Sequence, residues 1–210
     1  MALTVPQPRA SLDGSLAQWY ERALGWAVSA GPPVQLLTGL RFDVLDLPAS
    51  AGRALLERYE PTGPVALMGR RMRLLVAAGS ADELPGLLDW LEWGGVALDL
   101  RAIGAGGRVT APVPPGWTGP RGAAVWLRPP EPGCRVEERL PAITGFAQCG
   151  GAGEEGASGA SRTVRSGRAA GLSLVRLVAA AATECHRARL FHAKSPDSTG
   201  NAGTQPFCFS

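Results

Sequence analysis

Two aspartates and a small set of arginines are the side chains of this 210-residue chain best placed to do chemistry. In the stretch Gly94–Pro114, alternation puts Val96, Leu98 and Leu100 on one side of a strand and Ala97, Asp99 and Arg101 on the other. An acid and a base therefore share a face whose reverse is apolar. That polar face is either solvated or lines a cleft in which Asp99 holds a ligand. A second acid, Asp46, ends the strand Phe42–Leu47 and shares a face with Phe42 and Val44, while Asp43, Leu45 and Leu47 share the other. Strand ends are rigid places on which to mount chemistry. Arg41, Arg70, Arg71, Arg73, Arg101 and Arg108 could supply an electropositive hollow around these acids.

The elements that must position these residues follow from pattern and punctuation. A helix is expected from Asp13 to Leu24, with Leu16, Trp19, Tyr20, Ala23 and Leu24 on its buried face and Gly25 stopping it. Val34–Leu47 reads as two strands around a turn at Thr38–Gly39, or as one strand with a bulge there. A helix over Ser50–Tyr59 comes next, then strands Val65–Met68 and Arg73–Ala77 around Gly69-Arg70-Arg71. Asp82 as cap would leave Pro85 in the first turn of a helix whose stripe is Leu84, Leu87, Leu88 and Leu91, with Trp90 and Trp93 packing. The glycines Gly104, Gly106 and Gly107 then turn the chain into a hairpin whose second strand starts at Arg108 and ends at Pro112, Pro114 and Pro115. A last strand is expected over Ala123–Leu127.

This order predicts an α+β (mixed α/β) domain with helices against a sheet. The expected division is a disordered arm over 1–12, a domain over 13–144, a flexible Gly/Ala/Ser-rich linker over 145–171, a helix over 172–193 and a disordered tail over 194–210. The late helix carries an apolar face of Leu174, Leu177, Val178, Ala181, Cys185 and Ala188. Its basic residues, including Arg176, Arg187 and Arg189, read as a solvated face in preference to a phosphate-contacting one.

Composition narrows the classes. A net charge of +3 allows an anionic partner without demanding one. No run is apolar enough for a membrane span, and the start lacks a signal-peptide pattern. Cys134, Cys149, Cys185 and Cys208 are too scattered for a disulfide framework or zinc spacing, so free thiols and a cytoplasmic location are expected. His186 and His192 do not share a helical face. There is no Walker loop, Rossmann loop or hydrolase motif.

Several segments in order over Leu16–Pro114 resemble the N-terminal domain of bifunctional DNA primase/polymerases, the Prim-Pol branch of the archaeo-eukaryotic primase superfamily. They are Gly25-Trp26-Ala27-Val28; Thr38-Gly39 followed by Val44-Leu45-Asp46; Gly69 to Leu75; and Leu98-Asp99-Leu100-Arg101 followed by Gly106-Gly107-Arg108-Val109-Thr110-Ala111-Pro112. The resemblance implies a primase-polymerase-like sheet and metal-dependent nucleotidyl transfer. It makes Asp46 and Asp99 catalytic carboxylates and ligands of Mg2+ or Mn2+. Arg71, Arg73, Arg101 and Arg108 become nucleotide- or phosphate-binding residues.

The chain departs from that pattern at two chemical positions. Pro48 replaces the second carboxylate, and Met72 stands where the family has a histidine. With two carboxylates of three, the implied metal site is weakened to one ion or none. The expected function is therefore a primase/polymerase-like domain that binds nucleotide or DNA, with nucleotidyl transfer weak or lost. The alternatives are an active metal-dependent primase/polymerase, and a structural module that docks a protein partner through the C-terminal helix.

Overall fold

The strand Phe42–Pro48 (β3) lies at the middle of the protein because both of its faces are apolar. Phe42 and Val44 enter one core and Leu45 and Leu47 the other. A computed structural model describes residues 12–29, 31–59, 63–143 and 173–193; the expected linker and tail, and the arm before Leu12, lie outside the described residues. In chain order the elements before β3 are α1 (Leu12–Trp19), which continues as a π-helical turn over Tyr20–Leu24, β1 (Val28–Ser29) and β2 (Gln35–Leu37). After β3 come α2 (Ala49–Arg58), β4 (Val65–Met68), β5 (Arg71–Ala77), α3 (Ser80–Trp90), β6 (Arg101–Ile103), β7 (Arg108–Thr110), β8 (Val125–Arg128), a 3-10 turn over Val136–Arg139 and α4 (Leu174–Ala193).

The strands form two antiparallel sheets, one of five in the order β6-β3-β5-β4-β8 and one of three in the order β1-β2-β7. The protein is thus α+β, as expected. The run β3-α2-β4-β5-α3-β6, with spatial order β6-β3-β5-β4, is a ferredoxin-like split βαβ unit. Helices α2, α3 and α4 cover one face of this sheet around Leu45, Leu47, Leu55, Met72, Leu74, Leu84, Leu174 and Leu177. Helix α1 and the small sheet cover the other, around Tyr20, Trp26, Leu36, Phe42, Val44 and Leu75. There Trp126 donates to the Tyr20 hydroxyl at 2.9 Å, and that hydroxyl donates to the Pro112 carbonyl at 2.6 Å.

The Gly94–Pro114 hairpin does not form as expected. Strand β6 is only three residues long and pairs with β3, while β7 pairs with β2 in the other sheet. Upstream of β6, the carbonyls of Ala97 and Asp99 face α4, where Arg189 and Cys185 donate to them. Backbone acceptors that a neighbouring strand would satisfy are therefore taken up by a helix. The link from β6 to β7 crosses between sheets against the link from β2 to β3. Thr38 Oγ1 donates to the Gly104 carbonyl at 2.6 Å, and a Cβ on Gly39, whose φ is 86°, would lie 2.2 Å from Ala105 Cα. Thr38–Gly39 is thus a turn between two strands rather than a bulge in one.

Three other expectations change. Helix α3 starts at Ser80 and not after Asp82, with Pro85 inside it, because the Asp43 carboxylate accepts from the Ala81 N–H at 2.9 Å and fixes the first turn. Trp90 is 72% exposed and does not pack, whereas Trp93 sits against His186. Strand β5 begins at Arg71, two residues earlier than the pattern suggested, because Arg71 pairs with Pro48 in the ladder.

Candidate functional site

The end of β3 brings the predicted acids together. Asp46 lies directly opposite Arg73 on β5 and Arg101 on β6. Arg71, two residues before Arg73, projects from the same face. Its guanidinium is the meeting point of the site. Nε donates to Asp46 Oδ1 at 2.5 Å, Nη1 donates to Asp99 Oδ2 at 2.6 Å, and Nη2 also contacts Asp46. Arg73 adds a longer bond, Nε to Asp46 Oδ2 at 3.3 Å. Burial works against the charge on Arg71, but the hydrogen bonds it donates to Asp99 and Asp46, and their negative charges, outweigh it and push its pKa up.

The two acids differ in their surroundings. The Asp46 side chain keeps 7% of its surface exposed and is held by two arginines, whereas that of Asp99 is 59% exposed and is held by one. Asp99 stands just before β6, and its neighbours Leu98 and Leu100 turn the other way into the helix-side core. The alternation read for this segment therefore survives although the strand does not.

Above Arg71 opens a cleft of about 520 Å³ between the start of α2, the β4–β5 turn, the segment at Asp99 and α4. Among the described residues four arginines line it, Arg53, Arg70, Arg71 and Arg189, with Asp99 as the single acid. Arg53 and Arg70 are exposed and make no ion pair among the described residues; Arg189 gives one N–H to the Ala97 carbonyl. Pro48, Ala49 and Ser50 bring the amino end of α2 to the cleft, and Pro48 at its N-cap makes no side-chain cap bond. The partial positive charge of a helix start adds to the guanidinium charges.

The structure sorts the expected phosphate binders. Arg71 lies in the cleft but is bonded to both acids, and Arg73 is turned to Asp46. Arg101 faces Asp46 across the ladder, is exposed and makes no ion pair among the described residues. Arg108 stands on β7, in the other sheet. Met72 points into the helix-side core, where a Cβ on Gly52 would meet its sulfur, so positions 71 and 73 face Asp46 and position 72 does not. Pro48 lines the cleft where the second carboxylate was expected.

Arg53 was missed because an arginine on the polar side of a short helix carries no local signal of a ligand. Arg189 was read as part of a solvated face; only the packing of α4 beside α2 brings it to the cleft.

These residues do not fit a divalent cation. The position between Asp46 and Asp99 is filled by a guanidinium, and two like-charged cations would compete for the same oxygens. Among the described residues no group of three or more His, Cys, Asp or Glu side chains could hold a metal ion. No helix among them is long and apolar enough to cross a membrane. Comparison of the chain with protein-family models, curated proteins and solved structures gives no match.

Proposed function

We propose that this chain is a primase/polymerase-like domain that binds the phosphates of a nucleotide or of DNA in the arginine cleft and no longer transfers nucleotides. One observation carries the reading: arginines from α2, the β4–β5 turn, β5 and α4 converge on one open cleft at the start of a helix. Planar guanidinium groups suit phosphate oxygens, and their charges raise the local concentration of anions. The contact of Arg71 and Arg73 with the buried Asp46 speaks against transfer, since two-metal chemistry needs carboxylates free to hold ions.

Titration calorimetry with a nucleoside triphosphate and with short single-stranded DNA, each with and without manganese, tests the reading. Binding is expected without metal, and primer extension is expected with neither magnesium nor manganese. Absence of binding to both ligands at low salt overturns it; manganese-dependent extension abolished by Asp46→Ala would instead establish an active polymerase.

A further inference from the structure

We infer that Asp99 occupies, in the free protein, the seat on Arg71 that a ligand phosphate takes when it enters the cleft. The inference rests on the phosphate-binding reading and assigns Asp99 a role opposite to that of a metal ligand. Among the described residues Asp99 is the only acid lining an otherwise arginine-rich cleft, and its carboxylate reaches Arg71 Nη1 at 2.6 Å. A carboxylate and a phosphate present similar oxygens to a guanidinium, so the two compete for the same N–H groups.

The competition is one-sided. Asp46 is buried and held by Arg71 and Arg73, so it stays. Asp99 is largely exposed and has Arg71 as its one ionic partner among the described residues. Its backbone is pinned separately: its carbonyl accepts from Cys185, and the Ala97 carbonyl accepts from Arg189. Turning the Asp99 side chain toward solvent therefore frees one edge of Arg71 without moving the chain. That edge faces the same space as Arg53, Arg70 and Arg189. While it remains, the Asp99 charge also repels an incoming anion.

The experiment is calorimetry of the full chain with inorganic tripolyphosphate at low salt, comparing wild type, Asp99→Asn and Glu138→Gln. Asparagine keeps the shape and removes the charge; Glu138 does not line the cleft and controls for net charge alone. The expected result is that Asp99→Asn binds about tenfold tighter and Glu138→Gln changes affinity less than twofold. Wild-type binding with an Asp99→Asn variant that binds equally or more weakly overturns the inference and leaves the cleft reading standing. An equal gain in both variants also overturns it, since charge alone would then suffice. Binding by none of the three removes the cleft reading as well. Circular dichroism of each variant confirms that the fold is retained; if Asp99→Asn does not fold, Asp99→Ser carries the same comparison.

Discussion

Asp46 stands directly opposite Arg73 across β3 and β5, and the two close this register pair with a bond from Nε to Oδ2 of 3.3 Å. The pair lies at the point where the sheet changes from apolar core to polar cleft. Asp46 follows Phe42 and Val44 in one row of β3, and its burial is tolerated because Arg71 and Arg73 neutralise it.

Removing that acid leaves two partly buried guanidiniums facing one exposed carboxylate. Asp46→Ala is expected to lower unfolding stability by about 3 kcal/mol, at the lower end for a broken buried pair because both arginines keep some solvent contact. Denaturant titration followed by circular dichroism checks this; an unchanged midpoint would show that the network contributes nothing to folding.

Asp43, three residues earlier and on the opposite face of β3, has a different task. Asp43→Ala is expected to cost about 1–2 kcal/mol through loss of the α3 cap, while tripolyphosphate affinity stays within twofold of wild type. Thermal melts and calorimetry on the same sample read both quantities. A loss of affinity without a loss of stability would place Asp43 in the site instead.

Salt provides a separate test of the cleft. Raising ionic strength is expected to weaken DNA binding steeply, and Arg53→Ala and Arg70→Ala are each expected to lower the slope of log affinity against log salt by about one. Arg108→Ala, on the other sheet, is expected to leave the slope unchanged. Fluorescence anisotropy over a salt series distinguishes these outcomes.

The two described cysteines differ in their surroundings. Burial, with the Asp99 charge adding to it, pushes the Cys185 thiol from 9.0 up to about 12, whereas Cys134 is exposed. A pKa raised on folding means that the folded state favours the neutral thiol. Its contribution to stability is therefore complete below about pH 9 and is lost as pH rises toward 12. Iodoacetamide at pH 8 is expected to modify Cys134 in the native protein and Cys185 only after denaturation, as read by peptide mass spectrometry. Rapid native labelling of Cys185 would mean that α4 leaves the core readily.

The crossing of the two sheets gives a third stability test. Gly39→Ala is expected to destabilise by about 3 kcal/mol, since φ of 86° is strained for alanine and the added carbon meets backbone at Ala105. A neutral substitution would show that the two links can separate.

Much of this was legible in the residues themselves. The alternation through Phe42–Leu47 separated Asp46 from Asp43 correctly, and the alternation through Val96–Arg101 put Asp99 on the polar side. What remained hidden was non-local. The glycine turn at Gly104–Gly107 reads the same whether its flanking strands pair with each other or with separate sheets. Asp43 caps a helix 38 positions away, a contact that cannot be inferred from the sequence near Ser80. Arg53 and Arg189 became cleft residues only once α2 and α4 were set side by side.

The order of synthesis adds a consequence to the position of α4. Its residues Leu174, Leu177, Val178 and Ala181 complete the helix-side core, yet they follow every strand of both sheets in the chain. While Leu174–Ala193 is still inside the ribosomal exit tunnel, β3, β5 and α2 present bare apolar side chains to water. Until α4 emerges, that side of the sheet keeps an apolar surface on which an unfinished chain can aggregate.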